Sequence, residues 1–71
     1  MELSARNQIA GTVKSITLGA VMADVTIDIG NGQTLTAAIT RSSVERLGLK
    51  EGDAVVAIIK ATEVMVGKRT A

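Results

Sequence analysis

Seventy-one residues with neither Cys nor His make one domain, residues 1–71, near the lower size limit for a self-sufficient core, and they exclude disulfides, thiolate chemistry, the usual zinc sets and imidazole general bases. Aromatic residues are absent as well, leaving 23 Val, Ile, Leu and Met residues as the large core formers; against the conformational entropy of ordering the chain these are few, so association between chains is the expected remedy. Eight basic and seven acidic residues are spread along the sequence with a net charge of +1, which excludes a strong field directed at nucleic acid or an anionic membrane.

The first apolar alternation covers residues 8–17, with Ile9, Gly11 and Val13 on one face and Thr12, Lys14 and Ile16 on the other. Gly11 there marks a bulge or a close backbone approach. "LGA" at 18–20 turns into residues 21–29, where Val21, Ala23, Val25, Ile27 and Ile29 alternate with Met22, Asp24, Thr26 and Asp28 in the pattern of a half-buried strand. "GNG" at 30–32 tolerates positive φ, and beyond it Leu35, Ala37 and Ile39 alternate with Thr34, Thr36, Ala38 and Thr40, so the two runs pair as a β-hairpin.

"RSSVERLGLKEGD" at 41–53 breaks the β pattern. Ser42 or Ser43 caps a short helix, Glu45 follows Ser42 at capping-box spacing, Val44 and Leu47 share a face, and Gly48 suits a left-handed C-terminus. "KEGD" is a tight turn into "AVVAIIK" at 54–60, apolar on both faces as in a strand covered on both sides, and "TEVMV" at 62–66 reads as a short fifth strand before a solvated tail, "GKRTA". The predicted fold is all-β: a small five-stranded Greek-key barrel of the oligonucleotide/oligosaccharide-binding type, with one short helix between strands 3 and 4.

Catalysis finds no support. Asp24 and Asp28, four residues apart on one strand face, are separated by about 13 Å, too far to share a proton, and Ser42 and Ser43 have no His to activate them. Single-strand nucleic-acid binders of this barrel type stack bases on aromatic side chains, and this chain has none. No run is long and apolar enough for a membrane span and no leader pattern is present, so a soluble, cytoplasmic protein is expected. What remains is Ser4 and Arg6 before the first strand, Thr40 at the end of the third, and Lys60, which in strict alternation from Val56 and Ile58 points to an apolar face unless it snorkels to water. Two cations with hydroxyl and backbone N–H donors are the ingredients of a small-anion site.

"SARNQIAGTV" at 4–13, "LGAVMADVTIDIG" at 18–30, "AAITRSSVERLGLKEGD" at 37–53 and "VVAIIKATEVMV" at 55–66 together resemble the molybdate-binding Mop domain, a TOBE-like family whose single-domain form is called molbindin. The resemblance implies a hexamer built as a trimer of dimers, with molybdate or tungstate held reversibly in pockets between subunits, for storage and homeostasis and with no resident cofactor. It assigns Ser4, Ala5 and Arg6 to the N-terminal part of such a pocket, Thr40 to a hydroxyl donor, and Lys60 with Ala61 to the late strand. Asn7 and Gln8 would fix the binding segment against a neighbouring subunit. Some relatives carry Ser at the position of Ala61, so one hydroxyl is missing here. A second kind of family site, near a threefold axis, maps to Ala20, Val21 and Ser43. An oxyanion-sensing module acting on a partner protein and a structural β oligomer with an incidental anion site are the competing functions.

Overall fold

Alternating apolar and polar side chains draw half of the described residues into strands. In the computed structural model, which describes residues 1–70, these are β1 (Asn7–Leu18), β2 (Met22–Gly30), β3 (Gln33–Thr40) and β4 (Ala54–Ile59), with a helix α1 (Arg41–Leu47) between β3 and β4 and a single 3₁₀ turn at Ala61–Glu63. The strands form one antiparallel sheet in the order β3-β2-β1-β4, the Greek-key order in which the fourth strand returns to lie beside the first. Among the described residues no helix is long and apolar enough to cross a membrane.

β1 divides its pairing between two neighbours. Asn7 to Thr12 face β4, whereas Thr12 to Leu18 face β2, so the sheet turns a corner at the middle of this strand. Two backbone features make the corner. At Gly11 a Cβ would lie 2.6 Å from the Asp28 carbonyl oxygen and 2.7 Å from Ile27 Cγ2, and the close approach anticipated at this glycine is thus the correct alternative. The bulge sits instead between Val13 and Ser15, with Lys14 as the extra residue. A bulge shifts side-chain parity by one, which corrects the expected face of Ile16: it pairs with Val25 and packs against the core with Val13 rather than lying opposite it.

The core is the concave face of the curled sheet closed by one helix residue: Val13, Ala23, Val25, Ile27, Val44 and Ala57 are buried, ringed by partly buried Ile9, Ile16, Ile29, Leu35, Ala37, Ile39, Leu49 and Val55. The β2–β3 hairpin closes through Asn31 and Gly32, with Gly30 opposite Gln33 and φ of 55° and 72° at the two turn residues, the left-handed pair that matches strand twist. At α1 the cap differs from expectation. Thr40, not Ser42 or Ser43, is the N-cap, its side chain accepting from Ser43 N–H, because β3 holds Thr40 in the extended conformation an N-cap needs. Glu45 pairs with Arg41 at 3.1 Å instead of closing a capping box. Gly48 ends the helix at φ 63°, as its position implied.

Two further expectations change. β4 is covered on one face only: Val56 and Ile58 are 39% and 46% exposed, because one sheet has only one concave side. "TEVMV" is not a strand of this sheet, since Ala61–Glu63 coil into the 3₁₀ turn and Val64, Met65 and Val66 extend from it 50%, 93% and 95% exposed. The chain therefore forms four strands of an open half-barrel rather than a closed five-stranded barrel. Between the unpaired edges of β3 and β4 lies an aliphatic groove of ≈ 440 Å³, floored by Val25 and Ile27 and walled by Leu35, Ile39, Val55 and Ile59. Gly67 to Thr70 of the expected tail are exposed and irregular, and Ala71 lies outside the described residues.

Because Asp28 O is backbone and cannot swing aside, Gly11→Ala should destabilise the fold by about 1–3 kcal/mol. Urea denaturation of both proteins at one chain concentration measures this, and equal midpoints would show that the corner does not need the glycine.

Candidate functional site

At one end of the sheet, the β1–β4 ladder finishes with Asn7 opposite Ile59. Arg6 immediately precedes β1 and Lys60 immediately follows β4 at this end, and Ala61 opens the 3₁₀ turn. Gln8 Nε2 donates to Ala5 O at 3.2 Å, holding the Ser4–Arg6 segment to its own strand, whereas the sequence suggested a role for Gln8 against another subunit. Lys60 raises no burial problem: Val56 and Ile58 mark the outer face of β4, and Lys60, of the same parity, is exposed just beyond the strand. Among the described residues neither Arg6 nor Lys60 makes a salt bridge, so the end of this ladder is flanked by two cations without an ion-pair partner. Like charges so placed attract an anion.

The opposite end of the sheet holds hydroxyls. Thr40 pairs with Met22 at the start of β2, beside the end of β1, and it joins Ala20, Val21, Arg41, Ser42 and Glu45 around a shallow pocket of ≈ 360 Å³. Arg41 N–H donates to Val21 O at 2.8 Å and Arg41 Nη1 to Gly19 O at 3.4 Å, tying the β1–β2 turn to the helix. Thr40 Oγ1 lies 2.7 Å from Ser43 Oγ and 3.2 Å from Ser42 Oγ. Arg46 Nη2 in turn donates to Ser43 Oγ at 3.2 Å. The Arg41–Glu45 pair is solvent-exposed on both sides and adds little stability.

The sequence-predicted residues thus fall into two sets. Ser4, Ala5, Arg6, Lys60 and Ala61 gather at one end; Thr40 joins Ala20, Val21 and Ser43, the residues assigned to a separate second site, at the other. The 12 residues of β1 lie between them, roughly 40 Å of extended contour, in a molecule whose longest dimension is 41 Å. One chain does not bring Thr40 to Arg6 and Lys60. Arg41 and Arg46 were missed by sequence reasoning, although the i, i+3 spacing of Ser43 and Arg46 on a predicted helix is a signal that they share a face. Among the described residues no cluster of three or more acidic side chains could hold a metal ion; one end offers the Arg6 and Lys60 cations and the other a network of hydroxyls, which together complement an oxyanion.

The sequence matches the TOBE domain family over residues 3–66. A probable molybdenum-pterin-binding protein of Haemophilus influenzae is 51% identical over 67 residues, spanning 94% of this chain and 97% of that protein. The fold is similar to that of a molybdate-binding protein from Sporomusa ovata, with a TM-score of 0.90 at 48% identity over 96% of this chain and 100% of the other. It is also similar to part of the cytoplasmic molybdate-binding protein ModG solved with molybdate bound, with a TM-score of 0.81 at 48% identity over 86% of this chain and 43% of that longer one.

Replacing Thr40 by Ala removes the N-cap acceptor of α1 and should cost about 1 kcal/mol of stability, while Thr40→Ser keeps it. Thermal melts of the two variants check the assignment, which fails if both behave alike.

Proposed function

Because this chain belongs to the TOBE family, alongside Mop-type molybdate-binding proteins of its own length, we propose that it binds molybdate, or its congener tungstate, reversibly in the cytoplasm for storage and homeostasis. The observation that carries the proposal is the division of cations and of hydroxyl and N–H donors between the two ends of β1, the one carboxylate at the Thr40 pocket, Glu45, being paired with Arg41. A tetrahedral dianion needs cations and hydroxyls together, and two chains supply both when the Arg6–Lys60 end of one meets the Thr40 end of another.

The open seam supports such association. A neighbour's Val64–Val66 segment, already extended and exposed, lies down between β3 and β4 and supplies the fifth strand of the barrel, burying the aliphatic groove. Repetition of these contacts yields the hexamer, a trimer of dimers, that the family resemblance implies. The chain has no aromatic side chain to stack on a pterin ring, and the cations and hydroxyls at the two ends of β1 favour the anion itself as the ligand.

Binding makes and breaks no covalent bond. The anion exchanges its hydration shell for fixed donors, occupancy follows the free anion concentration, and a bound anion stabilises the assembly that creates its pocket.

Native mass spectrometry of the anion-free protein, titrated with molybdate and separately with sulfate, tests the whole scheme. A hexamer gaining molybdate but not sulfate is expected, and a monomer taking up neither would refute it. Arg6→Ala and Lys60→Ala should each weaken molybdate roughly tenfold or more, the worth of a charge-assisted hydrogen bond, with the assembly retained; unchanged affinity removes that residue from the site. Deleting residues 64–71 should shift the spectrum below the hexamer, and an intact hexamer would show that the tail does not close the seam.

A further inference from the structure

At the tip of the β2–β3 hairpin three consecutive residues have positive φ, 95° at Gly30, 55° at Asn31 and 72° at Gly32. Among the described residues Asn31 is the only one other than glycine in that region, which Asn enters more readily than most side chains. The tip is loosely tied to the sheet. The β2–β3 register breaks between Asp28 and Gly30, and Gly30 N–H donates to Asp28 Oδ1, a carboxylate of its own strand, at 2.9 Å. Asn31 and Gly32 are exposed, and nothing lies within 4 Å of the point where a Gly32 Cβ would stand. Among the described residues neither the Asn31 amide nor the Gly32 N–H makes a hydrogen bond.

We propose that Asn31–Gly32 is a self-modification site, at which water converts the asparagine to an isoaspartyl or aspartyl residue and so loosens β3. Hydroxide takes the Gly32 amide proton, and the nitrogen attacks Asn31 Cγ. The N–Cγ bond forms as the Cγ–Nδ2 bond breaks, and ammonia leaves with a proton from water, which restores the hydroxide. Water then opens the resulting succinimide. Addition at Cγ leaves an ordinary backbone with an aspartyl side chain; addition at the main-chain carbonyl leaves Gly32 joined through Cγ, an isoaspartyl linkage that adds a carbon to the backbone path. The balance is one water in and one ammonia out, with no change of oxidation state.

Glycine favours the attack because no Cβ stands beside the attacking nitrogen. A left-handed turn residue must rotate before the following nitrogen reaches its own side-chain carbon, and a frayed tip opens locally at low free-energy cost. Asn7, the chain's other asparagine, is an internal control: Gln8 follows it, and it lies in the β1–β4 ladder opposite Ile59. The consequence of the rearranged linkage follows from sheet order. β3 pairs with β2 alone, in a register that the turn sets. A backbone lengthened inside the turn no longer fits that connection. β3 carries Leu35, Ala37 and Ile39 of the core rim and ends at Thr40, the N-cap of α1. No ligand takes part, so the modification stands apart from the oxyanion function.

The experiment is ageing of the full-length protein in buffer at neutral and at mildly alkaline pH, for wild type and Asn31→Gly, which keeps a sequence suited to the left-handed turn. Peptide mass mapping locates each amide-to-acid conversion, and enzymatic methylation of isoaspartyl carboxylates measures the rearranged linkage. Conversion at Asn31 should outpace conversion at Asn7 by at least about tenfold, the contrast between an unhindered fraying tip and a paired strand, and should quicken as pH rises and the Gly32 nitrogen loses its proton. The isoaspartyl form, separated from unmodified protein, should unfold at lower urea, while Asn31→Gly aged in parallel keeps its midpoint. An Asn31 amide that survives in the folded protein over a time in which the urea-unfolded chain converts would overturn the proposal, because the turn then shields it. Equal urea midpoints for isoaspartyl and unmodified protein would overturn the dependence of β3 on the turn linkage.

Discussion

The rest of the molecule depends on the corner in β1. This strand serves β4 with its first half and β2 with its second, and it can do so only if its backbone passes close to that of β2 at Gly11 and gains a residue at Lys14. Val13 sits at the pivot, 2% exposed, its N–H bonded to Asp53 O and its carbonyl to Gly52 N–H, both at 2.9 Å. The same bend curls the sheet around its aliphatic core, directs β4 back beside β1, and leaves β3 and β4 facing each other without pairing. An open seam and two separated polar ends follow from that single strand path.

Electrostatically the two ends are complementary in kind. The Arg6–Lys60 end has charge and few hydroxyls; the Thr40 end has hydroxyls held in a network, with its Arg41 cation already engaged by Glu45. Neither end alone resembles a completed oxyanion site, in which charge and oriented donors act together on a desolvated ligand. The sheet keeps the halves apart because a β-strand is stiff and extended, so completion within one chain would require a distortion that an aliphatic core of this size could not sustain.

Much of this was legible in the residues. Strict alternation marks β2 and β3, Gly30–Gly32 marks their hairpin, and Val44, Leu47 and Gly48 mark the helix, because each reflects a local periodicity or a backbone angle. The face of Ile16 was not legible: a bulge resets parity, and Lys14 carries no residue-type signal for it. The cap at α1 was misassigned because Thr40, Ser42 and Ser43 are all competent acceptors, and the choice among them depends on where β3 stops. The fifth strand failed for a different reason. "TEVMV" has the composition of a strand, but strand formation requires a neighbouring edge, and the path of β4 into the 3₁₀ turn carries this segment away from its own sheet. Site residues could be named from motif, but their partition between two ends is a property of sheet order, which no single motif encodes.

Among the described residues the buried core holds only Val, Ile and Ala, and no polar group. Such side chains can exchange for one another at modest cost when volume is kept, so the interior is an interchangeable filling around a skeleton defined by a glycine, a bulge and a left-handed turn. Volume-conserving exchanges inside are therefore absorbed without moving a strand, whereas a side chain at Gly11, which would meet the Asp28 carbonyl oxygen, reshapes the whole sheet.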